Sequence, residues 1–275
     1  MERPFKQVDV FGSGPYSGNP VAVVLDGRGV SDGDMQRLAN WTNLSETTFV
    51  LPPEDPDADY RLRIFTPVEE LPFAGHPTLG SGHAWLASGG SPRRPDVVVQ
   101  ECGVGLVTLR LTADRVAFAA PPLLRTGPVE NSLVEEMTTA LGIEPARVLD
   151  SHWVDNGPGW VALLLSSADE VLAVRPEFID LSVGVVGPHP AGGPAAFEVR
   201  GFFPKNGAMV EDPVTGSLNA SLAQWLLSSG RAEAPYVCSQ GTALGRAGRV
   251  FIDVHDGSVW VGGATVTCVE GTVNI

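Results

Sequence analysis

Apolar residues recur along the chain with two different periods, and each period predicts one kind of element. Leu218, Leu222, Trp225 and Leu226 recur at helical spacing up to Gly230, which predicts a helix with at least one buried face. Shorter apolar runs predict strands at residues 60–66, 98–100, 105–111, 115–119, 197–203, 250–254 and 259–261. The pattern predicts a sheet wrapped around a helix, twice.

One stretch of sequence recurs about half a chain length later. Residues 76–86 and residues 212–222 align without a gap at an offset of 136, sharing a proline, a Gly-Ser pair, an alanine and a leucine. A period this long predicts a duplicated domain, because solenoid and propeller units span roughly 20–50 residues. Each copy starts with a residue able to cap a helix, followed by proline. We therefore expect helices to begin near His76 and Asp212.

The stretch between the two copies predicts a domain boundary. Residues 119–131 are rich in proline and glycine and are typical of a linker. We expect an N-terminal half at residues 1–124 and a C-terminal half at residues 125–275, with the last strand, at about 266–275, crossing back to the first half. A helix at 132–141 opens the second half, and residues 183–196 predict another loop, either a lid or a disordered excursion.

Composition excludes several classes of partner. Eighteen Lys and Arg residues stand against 32 Asp and Glu residues, for a net charge of −14. Nucleic acid and anionic membranes both favour a basic surface, so neither is expected as a partner. No apolar run approaches the roughly 20 residues of a membrane span, and we expect a cytoplasmic protein. The three cysteines, Cys102, Cys238 and Cys268, suggest neither disulfides nor a thiolate metal site, and no metal is predicted.

The two predicted helix starts are candidate anion sites. A helix N-terminus presents free N–H groups and about half a positive charge. Residues 72–88 and 206–222 contain no Lys or Arg. A carboxylate ligand would therefore be held by backbone amides together with Ser81, Thr215, Ser217 and His76, in a cleft between the halves, where pockets commonly form. The alternative is structural: the Gly-Ser pairs pack and cap two core helices.

Three side chains are candidates for moving protons: Glu46, His76 and Asp212. Asn43 and Glu46 match a capping box, but a helix-like segment precedes them and a strand-like run at 47–52 follows. A carboxylate at the start of an apolar strand is a candidate for burial and a raised pKa, as a general acid/base requires. A helix cap for Asp212 and a structural histidine for His76 remain the alternatives.

Several sequence blocks, in the same order and spacing along the whole chain, resemble the phenazine-biosynthesis PhzF family. They are Asp9-x-Phe11, Ser17-Gly-Asn-Pro-Val-Ala-Val23, Asn43-Leu-Ser-Glu-Thr-Thr-Phe49, Ile64-Phe-Thr-Pro67, Leu71-Pro-Phe-Ala-Gly-His-Pro77, Glu211-Asp-Pro-Val-Thr-Gly-Ser217, Gln240-Gly241, Gly245-Arg246 and Val261-Gly-Gly263. Together the blocks are far more specific than any one of them.

This resemblance implies the α+β diaminopimelate-epimerase-like fold. In that fold, two pseudo-equivalent halves each wrap a mostly antiparallel sheet around a central helix, and the active site lies between them. The resemblance also implies a homodimer and an isomerisation without cofactor or metal. The family reaction moves a proton between the ring carbons of trans-2,3-dihydro-3-hydroxyanthranilate.

Carried over to this chain, the resemblance makes Glu46 the acid/base group and adds the Gly75-His76 pair, Asp212 and Ser217 to the site. With the helix-start argument, the predicted substrate-binding residues are Gly75, Ser81, Thr215, Gly216 and Ser217. In related epimerases and racemases, cysteines occupy the two helix starts. Those places here hold Gly75-His76 and Asp212, so a two-thiol racemase is disfavoured.

The sequence therefore predicts an isomerase that transfers a proton within a small carboxylate-bearing metabolite. Glu46 is the shuttle, and Asp212 and His76 are orienting or secondary acid/base groups. Two alternatives remain at this point: a two-base epimerase of amino or hydroxy acids that uses Glu46 and Asp212, and a non-catalytic protein that binds small carboxylates.

Overall fold

The chain divides into two compact units. The computed structural model describes residues 1–205 and 207–275. Unit 1 comprises Met1–Ala119 and Gly262–Ile275, and unit 2 comprises Ala120–Val261. The boundary predicted at 124/125 lies inside unit 2.

The elements alternate short strands with a few helices. The helices are α1 (Asp32–Thr42), α2 (Gly75–Ala87), α3 (Asn131–Leu141), α4 (Ala168–Ala173) and α5 (Gly216–Ser228). The strands up to the end of α2 are β1 (Glu2–Val10), β2 (Asn19–Val24), β3 (Thr47–Leu51), β4 (Tyr60–Phe65) and β5 (Glu70–Leu71). The next are β6 (Val97–Cys102), β7 (Gly105–Leu111), β8 (Val116–Ala119), β9 (Arg125–Pro128), β10 (Val148–Asp155), β11 (Val161–Leu165) and β12 (Val183–Pro188). The last are β13 (Phe197–Lys205), β14 (Ala208–Asp212), β15 (Tyr236–Gln240), β16 (Gly248–His255), β17 (Ser258–Gly263) and β18 (Thr265–Asn274).

The sheet of unit 1 is mixed and mostly antiparallel. β1 pairs antiparallel with β2 and with the C-terminal strand β18. The pairs β2–β3 and β4–β6 are parallel, whereas β3–β4, β4–β5, β6–β7 and β7–β8 are antiparallel. Helix α1 covers one part of this sheet through a core of Val24, Met35, Ala39, Phe49 and Phe65. Since β18 lies on β1, the last strand belongs to unit 1.

The sheet of unit 2 has the same kinds of pairing in the same order. The pairs β11–β12 and β13–β15 are parallel, whereas β10–β11, β12–β13, β13–β14 and β15–β16 are antiparallel. Strand β9 adds an antiparallel edge on β10. A core that includes Met137, Leu141, Trp153, Val171 and Phe202 joins α3 and α4 to this sheet.

Helices α2 and α5 are the most buried helices of their units. In α5, the predicted apolar stripe of Leu218, Leu222, Trp225 and Leu226 is buried throughout, which confirms the helical pattern. Helix α2 lies so close to β1 and β2 that a Cβ on Gly80 would stand 2.4 Å from a methyl group of Val21. Small residues in the middle of α2 therefore serve close packing.

The predicted start of α5 and both predicted caps are wrong. The N-cap residues are Ala74 and Thr215, and neither makes a side-chain capping bond. His76 is the second residue of α2, and Asp212 ends β14, before α5 begins. Helices α2 and α5 begin at residues 75 and 216, an offset of 141, so the gapless alignment at 136 has the wrong register here. It equated Gly80-Ser81, inside α2, with Gly216-Ser217, which start α5.

Two predicted loops contain strands. Residues 183–188 form β12, which pairs with both β11 and β13, so only the later part of the predicted loop at 183–196 remains a loop. Residues 125–128 of the predicted linker form β9. Both runs are rich in glycine and proline, and pairing with neighbouring strands outweighs this local preference. Within the described ranges, no helix is long and apolar enough to span a bilayer.

Candidate active site

Glu46 lies in the turn between α1 and β3. Asn43 ends α1 in the left-handed conformation, at φ 54° and ψ 25°, so it is a C-cap and not the start of a capping box. The hydroxyls of Thr42 and Thr47 bond to each other at 2.8 Å, and the Glu46 carbonyl accepts from Ala22 in β2 at 3.4 Å. These bonds fix the backbone on both sides of Glu46, whose side chain is only 14% exposed.

His76 faces Glu46 from the first turn of α2. Its Nε2 lies 3.3 Å from Oε2 of Glu46, although the contact lacks the alignment of a hydrogen bond. Burial lowers the pKa of His76 from 6.5 to about 3, against the opposing effect of a hydrogen bond with the Pro20 carbonyl. The ring is therefore neutral at neutral pH. It can orient a carboxyl group, but it cannot act there as a cationic acid.

The buried carboxylate of Asp9 fixes the loop that contacts His76. Oδ2 of Asp9 accepts from the backbone N–H groups of Ser17 and Gly18, at 2.9 and 2.8 Å. Only glycine fits at position 18, because a Cβ there would stand 2.0 Å from the Val10 carbonyl oxygen. The next two residues reach the histidine: Nδ2 of Asn19 lies 3.5 Å from Nδ1, and Pro20 supplies its carbonyl. The Ser-Gly-Asn-Pro block thus positions His76.

A second polar group lies at the start of α5 in unit 2. Thr215 donates its hydroxyl proton to Oδ2 of Asp212 at 2.6 Å. Gln240, at the end of β15, donates to the Thr215 hydroxyl at 2.9 Å and to the Asp212 carbonyl at 3.2 Å. Thr215 therefore holds the Asp212 carboxylate, a different role from the predicted contact with a ligand.

Ser217 is held by two residues that the sequence analysis missed. Its Oγ accepts from Nε1 of Trp160 at 3.0 Å, so its own proton remains available to another acceptor. Its backbone carbonyl accepts from Nδ2 of Asn156 at 2.9 Å. Both partners belong to the turn between β10 and β11, where Asp155 accepts from two glycine N–H groups at 2.7 Å. The Asp-Asn-Gly-Pro-Gly run was the available signal for this turn.

A buried ion pair fixes the strand that carries Asp212. Arg200 makes a bidentate contact with Glu211, at 2.9 and 2.7 Å, and also donates to the Val174 carbonyl at 2.8 Å. Both side chains are at most 10% exposed. The contact joins β13 to β14 one residue before Asp212. The guanidinium of Arg200 therefore has a structural role in holding β13 and β14 together.

Ser81 does not lie at a helix start. It is fully buried in the middle of α2, and its hydroxyl bonds to Thr48 in β3 at 2.8 Å. The prediction that it holds a ligand is therefore not supported, because its contacts join α2 to the sheet.

The cysteines and His83 lie outside the first turns of α2 and α5. Cys102, Cys238 and Cys268 lie on β6, β15 and β18. His83 bonds to Thr267 at 3.0 Å. Across residues 1–205 and 207–275, no group of three or more His, Cys, Asp or Glu side chains is arranged to hold a metal ion.

Each helix start presents backbone donors. The first amides of a helix have no acceptor inside the helix, and in α2 these belong to Gly75 and His76, because Pro77 has no N–H. In α5 they belong to Gly216, Ser217 and Leu218. The prediction that both starts serve one cleft stays a prediction.

Comparisons with known proteins cover nearly the whole chain. Residues 8–271 match the PhzC-PhzF family model, described as phenazine biosynthesis-like protein. Antisense-enhancing sequence 1 of Schizosaccharomyces pombe is 38% identical, over 98% of each chain. The trans-2,3-dihydro-3-hydroxyanthranilate isomerase of Pseudomonas fluorescens is 34% identical, over 97% of each chain.

The fold is also shared with a solved structure. The PhzF-family phenazine biosynthesis protein of Bacillus anthracis superposes with a TM-score of 0.86, over 100% of both chains, at 22% sequence identity. The chain therefore belongs to the PhzC-PhzF family of phenazine biosynthesis-like proteins and is an isomerase.

Proposed function

We propose that the protein moves a proton between two carbons of a small carboxylate-bearing metabolite, with Glu46 as the shuttle. The observation that carries this proposal is the contact between Glu46 and His76. A carboxyl group that is 14% exposed lies 3.3 Å from an imidazole that burial keeps neutral. A largely buried carboxyl next to a neutral imidazole is suited to accept a proton and to release it again.

The chemistry needs no electron carrier. One C–H bond breaks, and its proton passes to Glu46. The electron pair stays in the conjugated system and shifts a double bond, and the proton is delivered to another carbon of the same molecule. The product is an isomer. A relative that is 34% identical is named for the isomerisation of trans-2,3-dihydro-3-hydroxyanthranilate, and this supports a cyclic unsaturated carboxylate of that type as the substrate.

The other predicted residues take supporting roles in this proposal. Neutral His76 orients the carboxyl group of Glu46. Asp212, fixed by Thr215, is the orienting or secondary acid/base group. In each unit the helix start supplies donors for a carboxylate: the amide of Gly75 in unit 1, and the amide of Gly216 with the hydroxyl of Ser217 in unit 2.

We also infer that the two units arose by duplication, each with a sheet wrapped around a central helix. Their strands pair in the same order, and α2 and α5 have 13 residues each. Each helix begins with glycine, and three residues separate that glycine from the last residue of β5 or β14. In each unit a fully buried glutamine, Gln100 or Gln240, donates to a threonine near that helix start.

The family resemblance further supports a homodimer as the assembled form. Light scattering at twice the chain mass of 28.9 kDa is the expected result. A mass of one chain across the working concentration range contradicts it.

Deuterium labelling tests the proposed reaction. The parent protein is incubated with trans-2,3-dihydro-3-hydroxyanthranilate in D₂O, and the label at each product carbon is measured by NMR. A single shuttle returns part of the original hydrogen, so partial labelling of one carbon is expected. Full labelling of the product from the first turnover would indicate two bases. Unchanged substrate without exchange would contradict the proposal for this compound.

A further inference from the structure

Gln240 is fully buried, and its side-chain amide is fully engaged in hydrogen bonds at the start of α5. Its Oε1 accepts from the Thr215 backbone N–H at 3.0 Å and from Nδ2 of Asn219 at 2.7 Å. Its Nε2 donates to the Thr215 hydroxyl at 2.9 Å and to the Asp212 carbonyl at 3.2 Å. Two donors face the oxygen and two acceptors face the nitrogen, which fixes the orientation of the amide.

This orientation decides which way the Thr215 hydroxyl points. A hydroxyl has one proton to donate. Because Gln240 donates to Oγ1 of Thr215, the threonine proton is directed to Oδ2 of Asp212, 2.6 Å away. The same glutamine satisfies the Thr215 backbone N–H at the N-cap of α5. The Gln240 side chain thus links the start of α5 to the carboxylate of Asp212.

We propose that Gln240 is a positioning residue of the active site: through Thr215 it holds the Asp212 carboxylate as a hydrogen-bond acceptor and anchors the start of α5. The inference rests on the proposed role of Asp212. It goes beyond that role because it assigns the orientation of Asp212 to a residue on another strand. Gln240 acts through Thr215 and need not touch the substrate.

Unit 1 contains a buried glutamine that is comparable to Gln240 but makes hydrogen bonds to other groups. Gln100, on β6, is fully buried, accepts from the Tyr60 hydroxyl at 2.8 Å and donates to the Thr78 hydroxyl at 3.0 Å. Its described hydrogen bonds lead to the hydroxyls of Tyr60 and Thr78 and to the Cys102 thiol, and not to a carboxylate. A change at Gln100 therefore reproduces the loss of a buried amide without altering the link to Asp212.

Three charged residues near Asp212 stay unchanged in all the variants used for the test. Its neighbour Glu211 is paired with Arg200. The side chain of Arg246 packs at Gly241, where an added Cβ would stand 2.8 Å from the Cβ of Arg246. The substitutions proposed below leave all three residues in place.

The test measures the carboxyl group directly and needs no substrate. The ¹³C resonance of the Asp212 side chain is assigned by its loss in Asp212→Asn, and its titration midpoint is compared among variants. Thr215→Val and Gln240→Leu remove the hydroxyl or its orienting donor, so the midpoint should rise by about 1 pH unit or more. Thr215→Ser keeps the hydroxyl, and Gln100→Leu serves as the matched control, so both should keep the parent midpoint.

The outcomes separate this inference from the proposed function. An unchanged midpoint in folded Thr215→Val overturns the inference, even if Gln240→Leu fails to fold. A shift of the same size in Gln100→Leu also overturns it, because any buried amide would then have the same effect. A shifted midpoint together with normal turnover by Asp212→Asn supports the network and contradicts the role of Asp212 in the proposed function.

Discussion

Nε2 of His76 lies 3.3 Å from Oε2 of Glu46, although strands β3, β4 and β5 separate the two residues along the chain. Burial keeps the pKa of His76 near 3. The histidine therefore meets the carboxyl group as a neutral ring. In the proposed mechanism, Glu46 is the proton carrier and His76 is its orienting partner.

Replacing Glu46 by glutamine should stop turnover while leaving binding intact. Glu46→Gln keeps the shape of the side chain but removes its titrating group. Positioned proton transfer contributes about 10² to 10⁴ in rate, so single-turnover conversion of trans-2,3-dihydro-3-hydroxyanthranilate should fall by at least that factor. Asp212→Asn, measured in parallel, should fall less. Conversion by Glu46→Gln within a few-fold of the parent rate contradicts the proposed mechanism.

The buried histidine should reduce stability in acid. The pKa of His76 is about 3 in the folded chain, below the ordinary value of 6.5 that applies when the chain unfolds. Its contribution is therefore fully present above about pH 6.5. It is lost as the pH falls towards 3, at up to about 1.4 kcal/mol per pH unit, because only the unfolded state takes up the proton.

His76→Gln removes that titration, so urea unfolding should depend less steeply on pH between 6.5 and 3 than in the parent. His255→Gln, at an exposed position, provides the control and should keep the parental dependence. Equal slopes in the parent and His76→Gln would mean that the buried ring is not the source of the acid sensitivity.

Removing the Ser217 hydroxyl should weaken the binding of a carboxylate. The hydroxyl accepts from Trp160 and keeps its own proton for a ligand. A hydrogen bond to a charged group is worth about 1.5 to 3 kcal/mol, so the calorimetric Kd of Ser217→Ala for 3-hydroxyanthranilate should rise about tenfold or more. Trp160→Phe leaves the hydroxyl in place and should retain most of the affinity. Equal losses in both variants would indicate that packing, not the hydroxyl, controls binding.

The amide of Gly75 should contribute in a similar way at the start of α2. Gly75→Pro removes the N–H at the first helical position, where proline is tolerated, and Ala74 already has the extended backbone that a following proline requires. The affinity for 3-hydroxyanthranilate should fall about tenfold, whereas Gly75→Ala keeps the N–H. If the proline variant folds and binds normally, the carboxylate is held elsewhere.

Thiol chemistry should not be required. Burial raises the pKa of Cys102 and of Cys238, so both are thiols at neutral pH and react slowly. Alkylation of the folded protein should leave turnover unchanged. Loss of turnover in step with alkylation would point to a thiol racemase.

Cys238→Ser should cost about 1 to 3 kcal/mol of stability, because it places a hydroxyl in a fully buried position on β15.

The sequence by itself determined the kinds of element and the main candidate residues. The stripe on α5 and the strand runs have periods that follow directly from helix and strand geometry. Glu46 could be placed at the start of β3 because a helix pattern ended before it and an apolar run followed. These signals are local, so no folded structure was needed to find them.

The register of the repeat was decided only by the tertiary structure. In sequence, Gly80-Ser81 and Gly216-Ser217 look equivalent. In the fold, the first pair lies inside α2, where Gly80 allows close packing on β1 and β2, and the second pair starts α5. Identical letters arose from two different physical requirements, packing in one case and a helix start in the other.

The partners of the site residues also required the fold. Asn19 reaches His76, Trp160 reaches Ser217 and Gln240 reaches Thr215 across many intervening residues. Such contacts depend on which strands lie side by side, and no periodicity in the sequence records that. The neutral state of His76 has the same origin, because the pKa of an imidazole follows from its burial and not from its neighbours along the chain.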